Sequence, residues 1–176
     1  GVLEKANELL ATLKAAGYRV NIDDSEKSPG WKFSEQEIVG IPTRIEIGPK
    51  DIEKGQVVVV RRDTREKIFV PMDEIAVKLR EILEQMQKDM YDRASEFLAD
   101  HIDTATNMDE MKEKFNANRG FVKACWCGDP ACEDEVKAVT GGAATRCLIE
   151  DEDMISDTCI WCGKPAKHMA YWGKSY

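Results

Sequence analysis

All six cysteines of this 176-residue chain fall between Cys125 and Cys162. They run Cys125-Trp126-Cys127-Gly128-Asp129-Pro130-Ala131-Cys132, then Cys147 alone, then Cys159-Ile160-Trp161-Cys162-Gly163. A pair of nearby cysteines can bring two sulfurs to about 2.3 Å from a common ion, and a longer segment then returns the chain with a second pair. A C-x4-C knuckle and a C-x2-C knuckle about 26 residues apart meet that need. No secretory segment opens the sequence, so this clustering favours metal binding in a reducing compartment over a disulfide scaffold. Four thiolates close a coordination shell, which makes the ion structural rather than catalytic. The ligand set read from the spacing is Cys127, Cys132, Cys159 and Cys162, with Cys125 and Cys147 as small buried residues. Cys125 in place of Cys127 would also satisfy the geometry. Iron in a rubredoxin-like site is the alternative ion, although such sites usually pair two C-x2-C knuckles. His168 reads as a strand or surface residue rather than a fifth ligand. The last third of the chain holds few large aliphatic side chains, and so small a region needs a staple of this kind.

The preceding part has the alternating pattern of an α/β layer. Leu3, Ala6, Leu10 and Leu13 recur at helical spacing, with Gly17 placed to cap the helix. Tyr18, Val20 and Ile22 alternate with polar residues as a half-buried strand does. A short helix is predicted over Trp31–Val39, a strand over Thr43–Ile47, and a hairpin of Gln56–Arg61 and Lys67–Val70 about Asp63-Thr64-Arg65. The Val57–Val60 run suits a buried strand. Ile75, Leu79, Ile82, Leu83, Met86, Met90, Ala94, Phe97 and Leu98 make one apolar stripe to about Asp100, with the methionines in the core. Asn107 is placed to cap a further helix carrying Met108, Met111 and Phe115. The expected fold is therefore an α/β domain over residues 1–103, a mixed sheet flanked by helices, followed by a small α+β metal domain over 104–176. A domain of this class that opens on a helix is expected to have a strand before it, so the chain reads as cut upstream of Gly1.

The formal charge of −8 excludes a surface basic all over. Cations can still gather on one face: Lys50, Lys54, Arg61, Arg62, Arg65 and Lys67 lie close together, interleaved with Asp51, Glu53, Asp63 and Glu66. By composition alone this is a solvated hairpin surface. No stretch reaches the roughly 18 apolar residues of a membrane span, and the chain reads as soluble.

Two stretches carry a family resemblance. The first holds Asp23-Asp24, Ser28-Pro29-Gly30-Trp31-Lys32-Phe33, the run from Glu35 through Ile38-Val39-Gly40-Ile41-Pro42 to Arg44, and Ile47-Gly48-Pro49-Lys50-Asp51. The second holds Cys127 to Cys132 with Glu133-Asp134, Cys162-Gly163-Lys164-Pro165-Ala166-Lys167, and the ending Gly173-Lys174-Ser175-Tyr176. Joined by Arg61-Arg62-Asp63, and in this order over nearly the whole chain, they resemble the C-terminal part of prolyl-tRNA synthetases of the archaeal/eukaryote-like type.

The resemblance implies an anticodon-binding domain and a structural zinc domain. It implies that Glu37, Arg44 and Lys50 read the two guanines of the proline anticodon. The chemistry agrees, because arginine and lysine donate to a guanine's acceptors while a carboxylate accepts from its Watson–Crick N–H groups. The Asn21–Lys32 connection and Arg61-Arg62 are expected beside the RNA backbone, giving affinity without sequence choice. The family's enzymes join proline to its tRNA in the cytoplasm with ATP and magnesium, in a class II catalytic domain that nothing here resembles. This chain alone is expected to be inactive. Its implied partners are tRNA for proline and its own catalytic domain, in a homodimeric full-length enzyme, with no membrane and no DNA. The terminal Tyr176 resembles the family's C-terminal tyrosine, whose carboxylate lies near the aminoacylation site. Competing readings are a free-standing anticodon-domain paralogue that binds RNA or protein, and a metal–thiolate redox module.

Overall fold

The computed structural model describes residues 1–117 and 120–175, which divide into two compact units, Gly1–Tyr91 and Asp92–Tyr176. In the first, α1 (Val2–Ala15) ends where Gly17 turns at φ +89 and Tyr18 N–H reaches back to Leu13 C=O. Helix α2 (Pro29–Ile38) starts at Ser28, whose hydroxyl accepts from Trp31 N–H, with Pro29 in the first turn, where its missing N–H costs nothing. Strand β1 (Thr43–Glu46) leads to α3 (Pro49–Glu53), a single turn that the sequence reading treated as part of a loop. The Asp51 carboxylate accepts from Gly48 N–H and closes this turn.

Strands β2 (Gln56–Arg61) and β3 (Lys67–Pro71) form the expected hairpin, and with β1 they make an antiparallel sheet in the order β1-β2-β3. The β2 valines are buried on both faces. Val57 and Val59 point into a core built with Leu9 and Leu13 of α1, Val70 of β3, and Ile75, Leu79, Ile82 and Met86 of α4 (Ile75–Asp100). Val58 and Val60 face the other way. On that second face their cross-strand neighbours are Glu46 and Arg44 of β1 and Phe69 and Lys67 of β3. Each fully buried valine contributes about 1.5–3 kcal/mol, so the sheet needs cover on both sides.

Several expectations change here. Tyr18–Ile22 forms no strand: its side chains reach the core, and Tyr18 Oη donates to Ala76 C=O at 2.6 Å, but its backbone makes no ladder. Alternation reports which side chains are buried, not whether a neighbouring strand is present to pair. The α4 stripe is core only as far as Met86; Met90, Phe97 and Leu98 are exposed. A helical period marks a face without saying how far a core extends beneath it. Arg61, expected beside RNA, is 6% exposed. Its Nε and Nη2 fork the Asp63 carboxylate at 3.0 and 2.8 Å, and Nη2 also donates to Asp89 on α4 at 2.7 Å. A guanidinium spent on two carboxylates is a clamp between the hairpin and α4, not a phosphate ligand.

In the second unit, β4 (Ile102–Thr104), β5 (Phe121–Trp126), β6 (Ala143–Ile149) and β7 (His168–Lys174) form a mixed sheet in the order β4-β5-β7-β6, with only β4 and β5 parallel. Helices α5 (Met108–Ala117) and α6 (Pro130–Thr140) accompany it. Asn107 caps α5 as expected, its Oδ1 accepting from Glu110 N–H at 3.0 Å. The core gathers Met111, Phe115, Val122, Val136, Ile160 and a fully buried Trp172, whose indole N–H points at Ala124 C=O.

Hydrogen bonds from Arg61 hold the Asp63 and Asp89 carboxyls below their usual 3.8. A lowered carboxylate pKa stabilises the fold above the unfolded value, and that contribution is lost as pH falls through the lowered values. Arg61→Met is expected to cost about 2–3 kcal/mol in denaturant unfolding at pH 7, below the ~3–5 of a fully enclosed pair because Asp89 is partly solvated. The gap between wild type and variant should close as pH drops below 3.8; a gap independent of pH would show that the clamp is not electrostatic.

Candidate nucleic-acid interface and metal centre

Helix α2 lies over the second face of the first sheet and makes with it a small cleft lined by Phe33, Gln36, Glu37, Ile41, Arg44, Val60 and Arg62. Two periodicities build it. Phe33 and Glu37 are one helical turn apart on α2, and Arg44 and Glu46 are two residues apart on β1, on the same side of the strand. The Arg44 guanidinium is held on three sides. Nη1 donates to Glu37 Oε1 at 2.8 Å, Nε donates to Glu46 Oε1 at 2.7 Å, and the Phe33 ring lies 4.0 Å beneath its carbon. Nη2 makes no hydrogen bond among the described residues. These groups are only partly exposed, Arg44 at 23% and Glu37 at 30%, so they are fixed without being sealed from a ligand.

Of the three residues singled out for base reading, the structure thus brings Glu37 and Arg44 together. Lys50 stands exposed on α3, outside the lining of this cleft, and its ammonium makes no ion pair among the described residues. Lys32 of the α2 approach is tied to Asp23, through its backbone C=O at 2.9 Å and its carboxylate at 3.6 Å. Sequence reasoning missed Phe33 and Glu46 as partners of Arg44. The i, i+2 spacing of Arg44 and Glu46 was a usable signal; the Phe33 contact joins helix to strand and had none.

In the second unit the four chosen cysteines converge. The Sγ atoms of Cys127, Cys132, Cys159 and Cys162 all lie within 4.8 Å of one another, a group that can hold one metal ion. The first knuckle leaves β5 at Cys127 and turns at Gly128, φ +86, where an added β-carbon would press on the His168 ring. It then enters α6 under an Asp129 cap, with Asp129 Oδ1 accepting from Ala131 N–H. The second knuckle closes with Gly163 N–H on Cys159 C=O, and Ile160 N–H on Cys125 C=O ties the two knuckles together. Cys125 therefore serves through its backbone; its side chain is buried and lies outside the cluster. Cys147, expected to be buried, is exposed on β6, between Arg146 and Leu148, which are exposed too.

Burial pushes the Cys127 and Cys132 thiols up, so neither ionises readily without a cation. Burial opposes ionisation of Cys159 too, but backbone N–H groups of Cys162, Trp161 and Cys127 outweigh it and bring that thiol to about 7. Two buried sulfurs that resist ionisation beside one that is primed for it suit a divalent ion, which replaces the protons. Cys132→Ser is expected to cut bound metal well below one ion per chain by elemental analysis and to lower the melting temperature of the second unit. Cys147→Ser should leave metal content unchanged and stability within about 0.5 kcal/mol; a full complement of metal in Cys132→Ser would exclude this ligand set.

Comparison with known proteins covers both units. Residues 1–82 match the family described as anticodon binding domain, and residues 108–176 match that described as prolyl-tRNA synthetase, C-terminal. A proline–tRNA ligase of Lachnospira eligens is 56% identical over all 176 residues, and one of Clostridium novyi is 51% identical; the chain spans 36% of the length of each. The crystal structure of prolyl-tRNA synthetase from Cryptosporidium parvum, complexed with L-proline and AMP, superposes with a TM-score of 0.89 at 37% identity, covering 98% of this chain and 37% of that one. Matched along its whole length by such relatives, this chain carries the anticodon-binding and C-terminal domains of the prolyl-tRNA synthetase family.

Proposed function

We propose that the chain is the tRNA-reading and structural portion of a proline–tRNA ligase of the archaeal/eukaryote-like type. The α2–β1 cleft takes the guanines of the proline anticodon, and the four cysteines hold a structural zinc ion. The observation that carries the first part is the side-by-side placement of Glu37 and Arg44, 2.8 Å apart. A guanine's Watson–Crick edge presents the O6 acceptor beside the N1–H and N2–H donors. An arginine next to a carboxylate is the complement of that order, whereas adenine offers a donor where guanine offers O6. Glu46 and Phe33 stop the guanidinium from rotating, so little entropy is lost when a base arrives. Lys50 acts from α3 as the third reading residue.

Zinc is supported over iron by the ligand chemistry. Four thiolates suit either ion, but the C-x4-C knuckle departs from the paired C-x2-C pattern of rubredoxin-like sites. The functional boundary read from the sequence is kept at residues 103/104, whereas by packing the end of α4 and strand β4 already belong to the second unit. Aminoacylation with ATP and magnesium belongs to the class II catalytic domain of the whole enzyme, a cytoplasmic homodimer, and this portion is inactive by itself. No helix among the described residues is long and apolar enough to cross a membrane. Tyr176, whose carboxylate the resemblance places near the aminoacylation site, lies outside the described residues.

Arg44→Ala is expected to weaken binding of a proline anticodon stem-loop by about 1–3 kcal/mol, with little effect on a loop whose two guanines are replaced by adenine. Fluorescence anisotropy on both loops measures this, and equal losses on the two would remove the recognition role.

A further inference from the structure

Arg65 is the one non-glycine residue with a positive φ among the described residues, at +60. A β-carbon disfavours that conformation and glycine adopts it freely, so the turn would form more easily without this side chain. The turn itself is firmly held. Arg65 N–H donates to Arg61 C=O at 2.9 Å, Arg61 N–H donates to Glu66 C=O at 3.0 Å, and the Arg61 side chain forks Asp63 within the same turn. The Arg65 backbone is therefore fixed while its side chain is 80% exposed.

That side chain reaches the cleft. Its Nη2 stands 3.7 Å from Glu37 Oε2, while the other Glu37 oxygen accepts from Arg44 at 2.8 Å. The two contacts differ in kind. The Arg44 contact is short and partly enclosed, whereas the Arg65 contact is beyond hydrogen-bond length and open to water, which makes it cheap to break. A carboxylate that reads guanine poses a problem for the same site, since it repels the phosphates that arrive with the base. Arg65 stands beside that carboxylate.

We propose that Arg65 is a phosphate-binding residue. In the free chain it offsets the Glu37 charge; when an RNA loop arrives, whatever its bases, it leaves Oε2 and forks the adjoining RNA phosphate. A guanidinium exchanges a long, solvated pair for short paired bonds to phosphate. This inference rests on the reading of the cleft as the anticodon site. It adds a contact that contributes affinity without choosing a base, distinct from the Glu37 and Arg44 roles.

The test uses the 176-residue chain, its Arg65→Gly and Arg65→Lys variants, and two RNA stem-loops, one with a UGG anticodon and one with UAA, titrated over a range of salt. Arg65→Gly should melt at or above the wild-type temperature, because the turn loses a disfavoured side chain. It should bind both loops about fivefold more weakly, with a log Kd versus log salt slope shallower by about 0.7, one phosphate contact on a single strand. Arg65→Lys keeps the charge and should keep the wild-type slope. An unchanged slope in Arg65→Gly, a loss confined to the UGG loop, or a lowered melting temperature that accounts for the weaker binding would each overturn the proposal. A wild-type chain that binds UGG and UAA loops equally would instead overturn the anticodon reading beneath it.

Discussion

A strand that must be dry on both faces organises the first unit. Val57 and Val59 are satisfied by α1 and α4, but Val58 and Val60 leave the opposite face needing cover. Helix α2 supplies part of that cover, and in doing so it sets Phe33 and Glu37 above β1. The α2–β1 cleft is thus a by-product of burying Val60: polar groups of a helix and a strand meet at the margin of an apolar contact. Because both elements are regular, the Glu37–Arg44 distance follows from periods of 3.6 and 2 rather than from the wandering of a loop. The Arg61 clamp extends the logic to the hairpin, whose turn is held by charges inside it instead of by its own sequence preference.

The second unit solves a different problem. Its core rests on Trp172, Met111 and Phe115 with several alanines, and it has few long aliphatic side chains. Trp126 links that core to the cysteines: its ring meets Trp172 edge-on, 6.3 Å between centroids, and its indole N–H donates to Asp129 C=O in the first knuckle. A metal ion held by these four sulfurs would therefore reinforce the core packing and add stability where apolar area is short.

Much of this was legible in the residues. The β2 valine run, the hairpin, the long helix, the Asn107 cap and the convergence of four named cysteines all follow from period, turn chemistry and spacing. What was not legible shares one cause. Met90, the Tyr18–Ile22 segment and Arg61 each turn on what stands opposite them in space, and a linear pattern carries no information about that. Arg61 is the most instructive, because Arg61-Arg62-Asp63 reads as a cationic surface patch. In fact Asp63 and the distant Asp89 consume the first arginine and leave Arg62 at the cleft. Cys147 differs for a local reason: it follows an irregularity in the pairing of β6 at Thr145/Cys147, on a stretch exposed on both faces, which cysteine spacing does not mark.

On the function proposed above, an acidic chain that binds a polyanion must separate affinity from choice. Around the cleft, Arg44, Arg62, Arg65 and Lys67 outnumber Glu37 and Glu46, although the chain as a whole carries −8. The acids weaken attraction to any phosphate backbone, and that is their use. A site of cations alone would bind every loop by charge, with little to reject the wrong base. A carboxylate that must be matched by two N–H donors imposes a cost on every base but guanine, so specificity arises from what the site withholds. The hairpin cations Arg62, Arg65 and Lys67 would then need only offset the repulsion, while the Glu37–Arg44 pair stays fixed on helix and strand.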